Sequence, residues 1–562
     1  MERETRAATA RVERPDPRSL TFRQVVESPR WRLTKTYVTD PARATVLMDV
    51  DFASKTGRPL RLFAVLDPAL SNGGDDDRGA TRGRALVAWD RRSASALMAA
   101  PGLRESSSGY ARRGSDPLRD LRRGGDLDGR FDARRRGNVR QAARTALDGV
   151  QRRRMTLALG FGGTRGAALA TARASLRGGF GPAAATYAGG WATYLDSLPG
   201  APRSVAADAA LRAAYDTSLM VLDASEDKTF RGAGIASPSM PWAWGKMTIE
   251  EDLPSGPYHL VWARDLYQVA TAHLAAGDVA AANRALSYLF FRQQKPDGSF
   301  PQNSVTNGRQ RWEKTQMDEV ALPIVLAWQL GRDDAPTWRR VKRAADYVVR
   351  TGPRSQQERW ENQAGWSPAT IAAQIAGLVC AADLARRNGD AAAAARYERT
   401  ADVWARDVER WTVTSTGPWS PRPYYLRVTK GRDPDRATRY DVGDSGTSDA
   451  DQRREVDPSF LELVRLGVKP HDDPVVLNTL QVVDAQLRTN TPNGPFWHRF
   501  TTDGYGERRD GGMWDLNDPD TFRTLGRVWP IFSGERGEYE LLAGRPADAH
   551  LRSMALAAND GG

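Results

Sequence analysis

Residues 359–368 read RWENQAGWSP, so the carboxylate Glu361 follows Trp360 directly. Ser367 suits an N-cap and Pro368 a first helical position, and Ile371, Ile375, Leu378, Val379 and Ala382 then trace one apolar stripe. Glu361 therefore lies on the loop into a helix, flanked by Trp360 and Trp366. A carboxyl packed against indole loses solvation, which raises its pKa and keeps it protonated near neutral pH. Such a group can hand a proton to a glycosidic oxygen. On spacing alone, the commoner role for such a residue is an exposed carboxylate ahead of a helix.

Four more segments gather aromatic and polar residues near helix starts. In YHLVWARDLYQVA (258–270), Arg264 and Asp265 come just after Trp262. Such a pair serves as a cap or surface ion pair, or, at the mouth of a pocket, as a fork and acceptor for sugar hydroxyls. GRQRWEKTQMDEVALPI (308–324) repeats the layout with Trp312, Gln316 and Asp318. NGPFWHRFTTDGYGE (493–507) places Trp497, His498 and Arg499 in an aromatic-rich loop. VWPIFSGERGEYELLAG (528–544) carries Glu535, Glu538 and Glu540 around a helix start, where Glu535 complements the helix dipole and Glu538 reads as helix surface. No metal-ligand spacing, nucleophile elbow or phosphate loop is visible, and the five His are scattered. Residues 430–455 are acid-rich without an EF-hand pattern, so a structural calcium there is the one cofactor left open; otherwise none is expected.

A chain of 562 residues needs two or more domains to position such groups. With 40 % hydrophobic residues and 17 Trp it is a globular protein with substantial cores. The net charge of +12 is concentrated in residues 104–154, with fifteen Arg against seven acids and few aromatics. Only nine of the 81 basic residues are Lys, so a general Arg bias explains the charge and no nucleic-acid partner is expected. The single cysteine, Cys380, excludes an internal disulfide and lies in a helical apolar stripe. No run reaches 18 apolar residues, and the Arg-rich N-terminus has no apolar signal region.

Period-two segments at 31–39, 45–52, 60–67, 85–90 and 155–161 predict an antiparallel β-sandwich over residues 1–162, incomplete with five or six strands and a long loop at 70–83. Helices at 165–177 and 183–197 fall in a linker, 163–204. From 205 to 562 the period is 3.6, and AAGDVAAANRAL, QLGRDDAPTWRRV, RRNGDAAAAARY and LLAGRPADAHL each end a helix at a glycine (277, 331, 389 and 544) and restart another. Repeated αα-hairpins of some 55 residues predict an (α/α)6 toroid. The fold class is therefore mixed and mainly α. Eleven helices are countable: 206–222, 264–276, 278–292, 316–330, 334–349, 368–388, 390–411, 457–466, 473–489, 534–543 and 546–557.

These motifs resemble the bacterial glucoamylases and glucodextranases of glycoside hydrolase family 15. The likeness runs from about residue 15 to the end and is sharpest in YHLVWARDLYQVA, QKPDGSFPQN, KTQMDEVALPI, RWENQAGWSPATIAAQIAGL and WPIFSGERGEYEL. It implies a β-sandwich, a helical linker and an (α/α)6 catalytic barrel in that order. The implied reaction is exo-acting hydrolysis of α-glucosidic bonds with inversion, releasing β-glucose from non-reducing ends of an α-glucan or oligosaccharide. Preference among α-1,4 and α-1,6 bonds and trehalose stays open. Carried over by position, Glu361 is the general acid, and Arg264 and Asp265 hold the terminal glucose. Trp312, Gln316 and Asp318 shape the pocket wall, and Trp262, Trp360 and Arg499 complete the sugar contacts. Asn362 stands where the family often has a second acid; it can bond a hydroxyl but carries no charge. The family's base lies in a Pro-Glu-Gln stretch that this chain lacks. The expectation is a piece, cut at both ends, of a longer monomeric, secreted enzyme, with the base beyond Gly562 and Glu535 as the in-chain alternative. The competing expectation is an inactive, glucan-binding chain.

Overall fold

The computed structural model describes residues 1–6, 9–72, 75–146, 152–238, 258–443, 446–506 and 526–559. The closing Asp560–Gly562 of AANDGG and part of the 70–83 loop lie outside them. The described residues up to Met220 form one compact unit, and those from Val221 to Ala557 form another.

In the first unit twelve antiparallel strands make two sheets. The larger runs β1 (Thr9–Glu13), β2 (Phe22–Glu27), β3 (Trp31–Thr39), β4 (Thr45–Ser54), β12 (Arg152–Gly162), β8 (Ala94–Ala100), β7 (Ala85–Trp89), β6 (Asp77–Arg82), β10 (Ala133–Gly137). The smaller runs β5 (Phe63–Leu66), β11 (Val139–Thr145), β9 (Leu103–Tyr110), with α1 (Pro117–Gly124) beside it. Trp31, Leu33, Val50, Phe52 and Leu157 of the large sheet pack with Leu103 and Ala143 of the small one. On the other side of the large sheet, Val38, Leu47, Val87 and Ala158 meet Ala168 and Ala172 of α2 (Arg165–Gly178). That helix and α3 (Phe180–Asp196), read from sequence as a linker, both pack on the sheet. Twelve strands replace the five or six expected. The segment read as a 70–83 loop holds β6, and the arginine-rich stretch holds β9 to β12. Its arginines stay near solvent by pairing outward, Arg140 with Asp67 and Asp116, and Arg152 and Arg154 with Asp51.

After α4 (Arg203–Ala206) and α5 (Ala209–Ala224), the second unit is a chain of helical hairpins. Helices α6 (Ala263–Ala275), α8 (Met317–Gln329), α10 (Pro368–Arg387), α12 (Glu462–Arg465) and α14 (Pro530–Leu542) touch one another in succession as an inner ring. The outer partners are α7 (Val279–Tyr288), α9 (Ala335–Thr351), α11 (Ala391–Thr412), α13 (Pro474–Leu487) and α15 (Asp548–Leu556). The division follows composition. MDEVALPIVLAWQ in α8 is apolar nearly all round and eleven of its residues are buried, whereas α9 and α11 bury one stripe each. All eleven helices expected from periodicity are present, with α12 shortened to one turn behind a 3-10 turn at Pro458–Leu461. The four repeat glycines, Gly277, Gly331, Gly389 and Gly544, have φ of 87°, 64°, 73° and 72°, the left-handed stop that ends each helix.

Two glycines separate close approach from backbone strain. A Cβ at Gly160 in β12 would lie 2.6 Å from Ala172 N and 2.8 Å from Ala168 O, whereas Gly331 faces open space. Gly160→Val should force α2 off the sheet and cost about 3 kcal/mol, and Gly331→Ala about 1 kcal/mol from its positive φ. Urea melting checks the order; equal losses would contradict the packing assigned to Gly160.

Candidate active site

The inner helices bring their N-terminal ends to one rim, and the singled-out residues sit there. Trp262, Gln316, Ser367 and Trp529 are the N-cap residues of α6, α8, α10 and α14. Asp457 occupies the same place before the 3-10 turn into α12. Each has the extended backbone of an N-cap, yet in the first four no side chain caps its own helix. Those side chains are free for other work.

Of these, Gln316 reaches Glu361, where three donors meet. Its Oε1 accepts from Gln316 Nε2 at 2.9 Å and Arg264 Nη2 at 3.2 Å, and its Oε2 from Gln302 Nε2 at 2.9 Å. Arg264 is shared further: Nη1 donates to Gln316 Oε1 and to Asp318 Oδ2 at 3.4 Å, and Nη2 lies 3.7 Å from Asp265. Burial pushes the Glu361 carboxyl above its ordinary value, and the Arg264 charge and the two glutamine amides only partly pull it back. Its side chain keeps 22 % of its surface open, and Asp265, also raised by burial, keeps 43 %. Protein crowds both carboxyls, but each keeps one open side, as groups lining a cleft do. Gln316 and Asp318 are buried. Beside Asp318, Glu319 is fully buried with no hydrogen bond to either oxygen among the described residues, and burial pushes its pKa well above the ordinary value.

Glu361 also has φ of 69°, a left-handed conformation that costs a non-glycine residue about 1–2 kcal/mol. The surrounding turn enforces it: Glu361 N donates to Glu358 O at 2.8 Å, Glu358 N to Gln363 O at 2.8 Å, and Gln357 Nε2 to Glu361 O. Backbone strain at a half-open carboxylate is the mark of a residue whose direction matters.

Aromatic rings wall the site. Trp262 meets Trp312 edge-to-face at 5.7 Å and Tyr258 at 5.5 Å. Across from them Trp360 packs on Phe532 at 5.6 Å and Trp529 at 6.2 Å, and its Nε1 donates to Asp457 Oδ2 at 2.6 Å. The hydroxyls of Tyr258 and Tyr505, 3.1 Å apart, tie the two walls together. Arg499 is 4 % exposed, doubly bonded to Asp503 at 2.7 and 2.8 Å, with its guanidinium over Trp360, Phe500, Tyr505 and Trp529. It braces the aromatic wall. Asn362 accepts from Arg427.

The glutamates of α14 have other partners. Glu535 accepts from the buried Arg359, Glu538 pairs with Arg465, and Glu540 with Arg536 and Arg545. In the acid-rich 430–455 segment, Asp435 takes Thr414, Ser415 and Thr416, Asp449 takes Arg439, and Asp451 takes Arg453. No cluster of metal-ligating side chains occurs among the described residues. Gln302, Tyr258, Tyr505, Trp529 and Asp457 were not singled out from sequence. For Gln302 a signal existed, since it is the penultimate residue of the QKPDGSFPQN motif.

Two buried acids behind Trp360 give a pH signature. Burial pushes Glu455 to about 7 and Asp457 to about 6. In the unfolded chain both release their protons near pH 4, so their contribution to stability is full below that and is lost as pH rises through 6 and 7. The urea midpoint should therefore fall from pH 5 to pH 8. Glu455→Gln should flatten that fall by about 2 kcal/mol; an unchanged slope would mean Glu455 is ionised in the fold.

Residues 209–555 match the model of glycosyl hydrolases family 15, and residues 1–196 match that of glucodextranase domain N. The chain is 37 % identical over 567 aligned residues to a glucoamylase of Clostridium sp. (strain G0005), covering all of this chain and 78 % of that protein. A solved structure of a bacterial glucoamylase complexed with acarbose superposes with a TM-score of 0.90 at 36 % identity, over 99 % of this chain and 81 % of that one. With the carboxylate, arginine and tryptophans of its rim in place, the chain belongs to glycosyl hydrolases family 15, as a glycoside hydrolase of the glucoamylase type.

Proposed function

We propose that Glu361 is the general acid of an inverting, exo-acting α-glucan hydrolysis that frees β-glucose from non-reducing ends. The observation that carries this is the state of Glu361: half-open, lifted by burial, and fixed by Gln302, Gln316 and Arg264. A carboxyl whose pKa is raised by burial is suited to protonate the departing glycosidic oxygen. Asp265 and the outer edge of Arg264 are the polar groups left to hold hydroxyls of the terminal glucose, and the half-buried Trp312 offers a face for its ring. Gln316 and Asp318, being buried, orient Arg264 and Glu361 from behind.

Inversion needs a second carboxylate about 6.5–9.5 Å from the acid, with water between. Glu535 is held by Arg359, which supports an anchoring role for it over that of a base. Assaying the chain on maltose and isomaltose, with NMR detection of the released anomer, tests the whole reading. Glu361→Gln should lower turnover by about 10²–10⁴-fold with KM little changed, and the first product should be the β anomer. Parent and variant rates equally near zero with glucan binding kept would overturn catalysis by this chain. A robust rate abolished by Glu535→Gln would make Glu535 the base.

A further inference from the structure

Something must hold Glu361 in its left-handed conformation, and the described contacts converge on one residue outside the substrate-facing set. Arg427 is fully buried, and its Nη2 donates to Glu358 Oε1 at 3.0 Å and to Asn362 Oδ1. Those two residues bracket Glu361 in the turn. Glu358 extends the clamp, since its Oε2 accepts the Trp360 backbone N at 2.8 Å. The guanidinium carbon lies 3.5 Å from the centre of the buried Phe500 ring, while its Nε and Nη1 find no hydrogen-bond acceptor among the described residues. The Arg427 backbone is itself fixed, with N donating to Glu455 O at 2.8 Å. The arginine thus stands as a post between a ring and the turn.

We propose that Arg427, by bridging Glu358 and Asn362, is the positioning residue that aims the Glu361 carboxyl at the rim. This rests on the reading of Glu361 as the acid. In the same geometry Asn362 is an anchor of the turn, turned to Arg427. An amide suits that place because Arg427 already has a carboxylate in Glu358, so the half-buried position 362 needs only an acceptor and no second charge.

Removing Arg427 alone strands the Glu358 charge in the interior and is expected to impair folding. The informative variants are therefore Arg427→Met/Glu358→Gln, which deletes both charges, and Asn362→Ala, which deletes one anchor. The double variant should keep the parental thermal midpoint within a few degrees while kcat falls about 10- to 100-fold, KM stays within threefold, and the alkaline limb of kcat moves by more than half a pH unit. Asn362→Ala should show the same pattern at about three- to tenfold, whether or not the double variant folds. Arg427→Lys, which keeps a cation for Glu358 but loses the planar fork, should recover part of the rate. A parental kcat and limb in Asn362→Ala would overturn the proposal. A raised KM at full kcat would also overturn it, by making Asn362 a substrate contact. Full activity in Glu361→Gln would instead sink the acid assignment itself, a separate outcome.

Discussion

The site depends on how the helices of the second unit are capped. The outer helices α7, α9, α11 and α13 each begin with an aspartate, Asp278, Asp334, Asp390 or Asp473, whose carboxylate accepts from the first-turn backbone N–H groups. At the opposite rim the inner helices begin with Trp262, Gln316, Ser367 and Trp529, none of which caps its own helix. A missing side-chain cap costs about 1 kcal/mol per helix. Among the outer helices only α15, whose N-cap residue is Ala547, shares that cost, and at the inner rim the unclaimed N–H dipoles favour carboxylates and polar ligands. Stability is concentrated at one end of the hairpins and chemistry at the other.

Charge at that rim is scarce by arrangement. Arg264 faces Asp265, Asp318 and Glu361 and feels Glu319 as well. One cation cannot hold four anions out of water, so burial wins where pairing is incomplete. Glu319 has no hydrogen-bond partner among the described residues and is pushed well up by burial, while Glu361, with two neutral amides and a shared arginine, is raised without being isolated. Glutamine amides suit this position because they orient a carboxyl through hydrogen bonds without adding the full charge that would ionise it.

Much of this was readable from sequence where the signal is local. Glycine at the end of each hairpin's first helix reports a backbone angle, so the repeat survived translation into structure. The clustering of Trp, Arg, Asp, Gln and Glu ahead of apolar stripes marked the rim. Other features were hidden for physical reasons. In β10, ARRRG, three successive residues face solvent, and in β9 Ser107 and Ser108 occupy buried positions where a pattern search wants apolar residues. The family resemblance marked Arg499 as a sugar contact, but its setting was not readable, since its aspartate partner lies four residues on and the aromatics around it come from three segments. Arg427 was invisible, since its partners are 65 and 69 positions away and nothing in LRVTK distinguishes it from a surface arginine.

The central claim is that Glu361 delivers a proton to the leaving group, and substrate choice tests it most directly. Fluoride departs without needing a proton, whereas the sugar of maltose does not. Comparing the Glu361→Gln variant with the parent on α-glucosyl fluoride and on maltose isolates that one step. The account predicts a loss of at least about 100-fold on maltose and less than about tenfold on the fluoride. Equal losses on both substrates would contradict it and assign Glu361 to binding or to the fold.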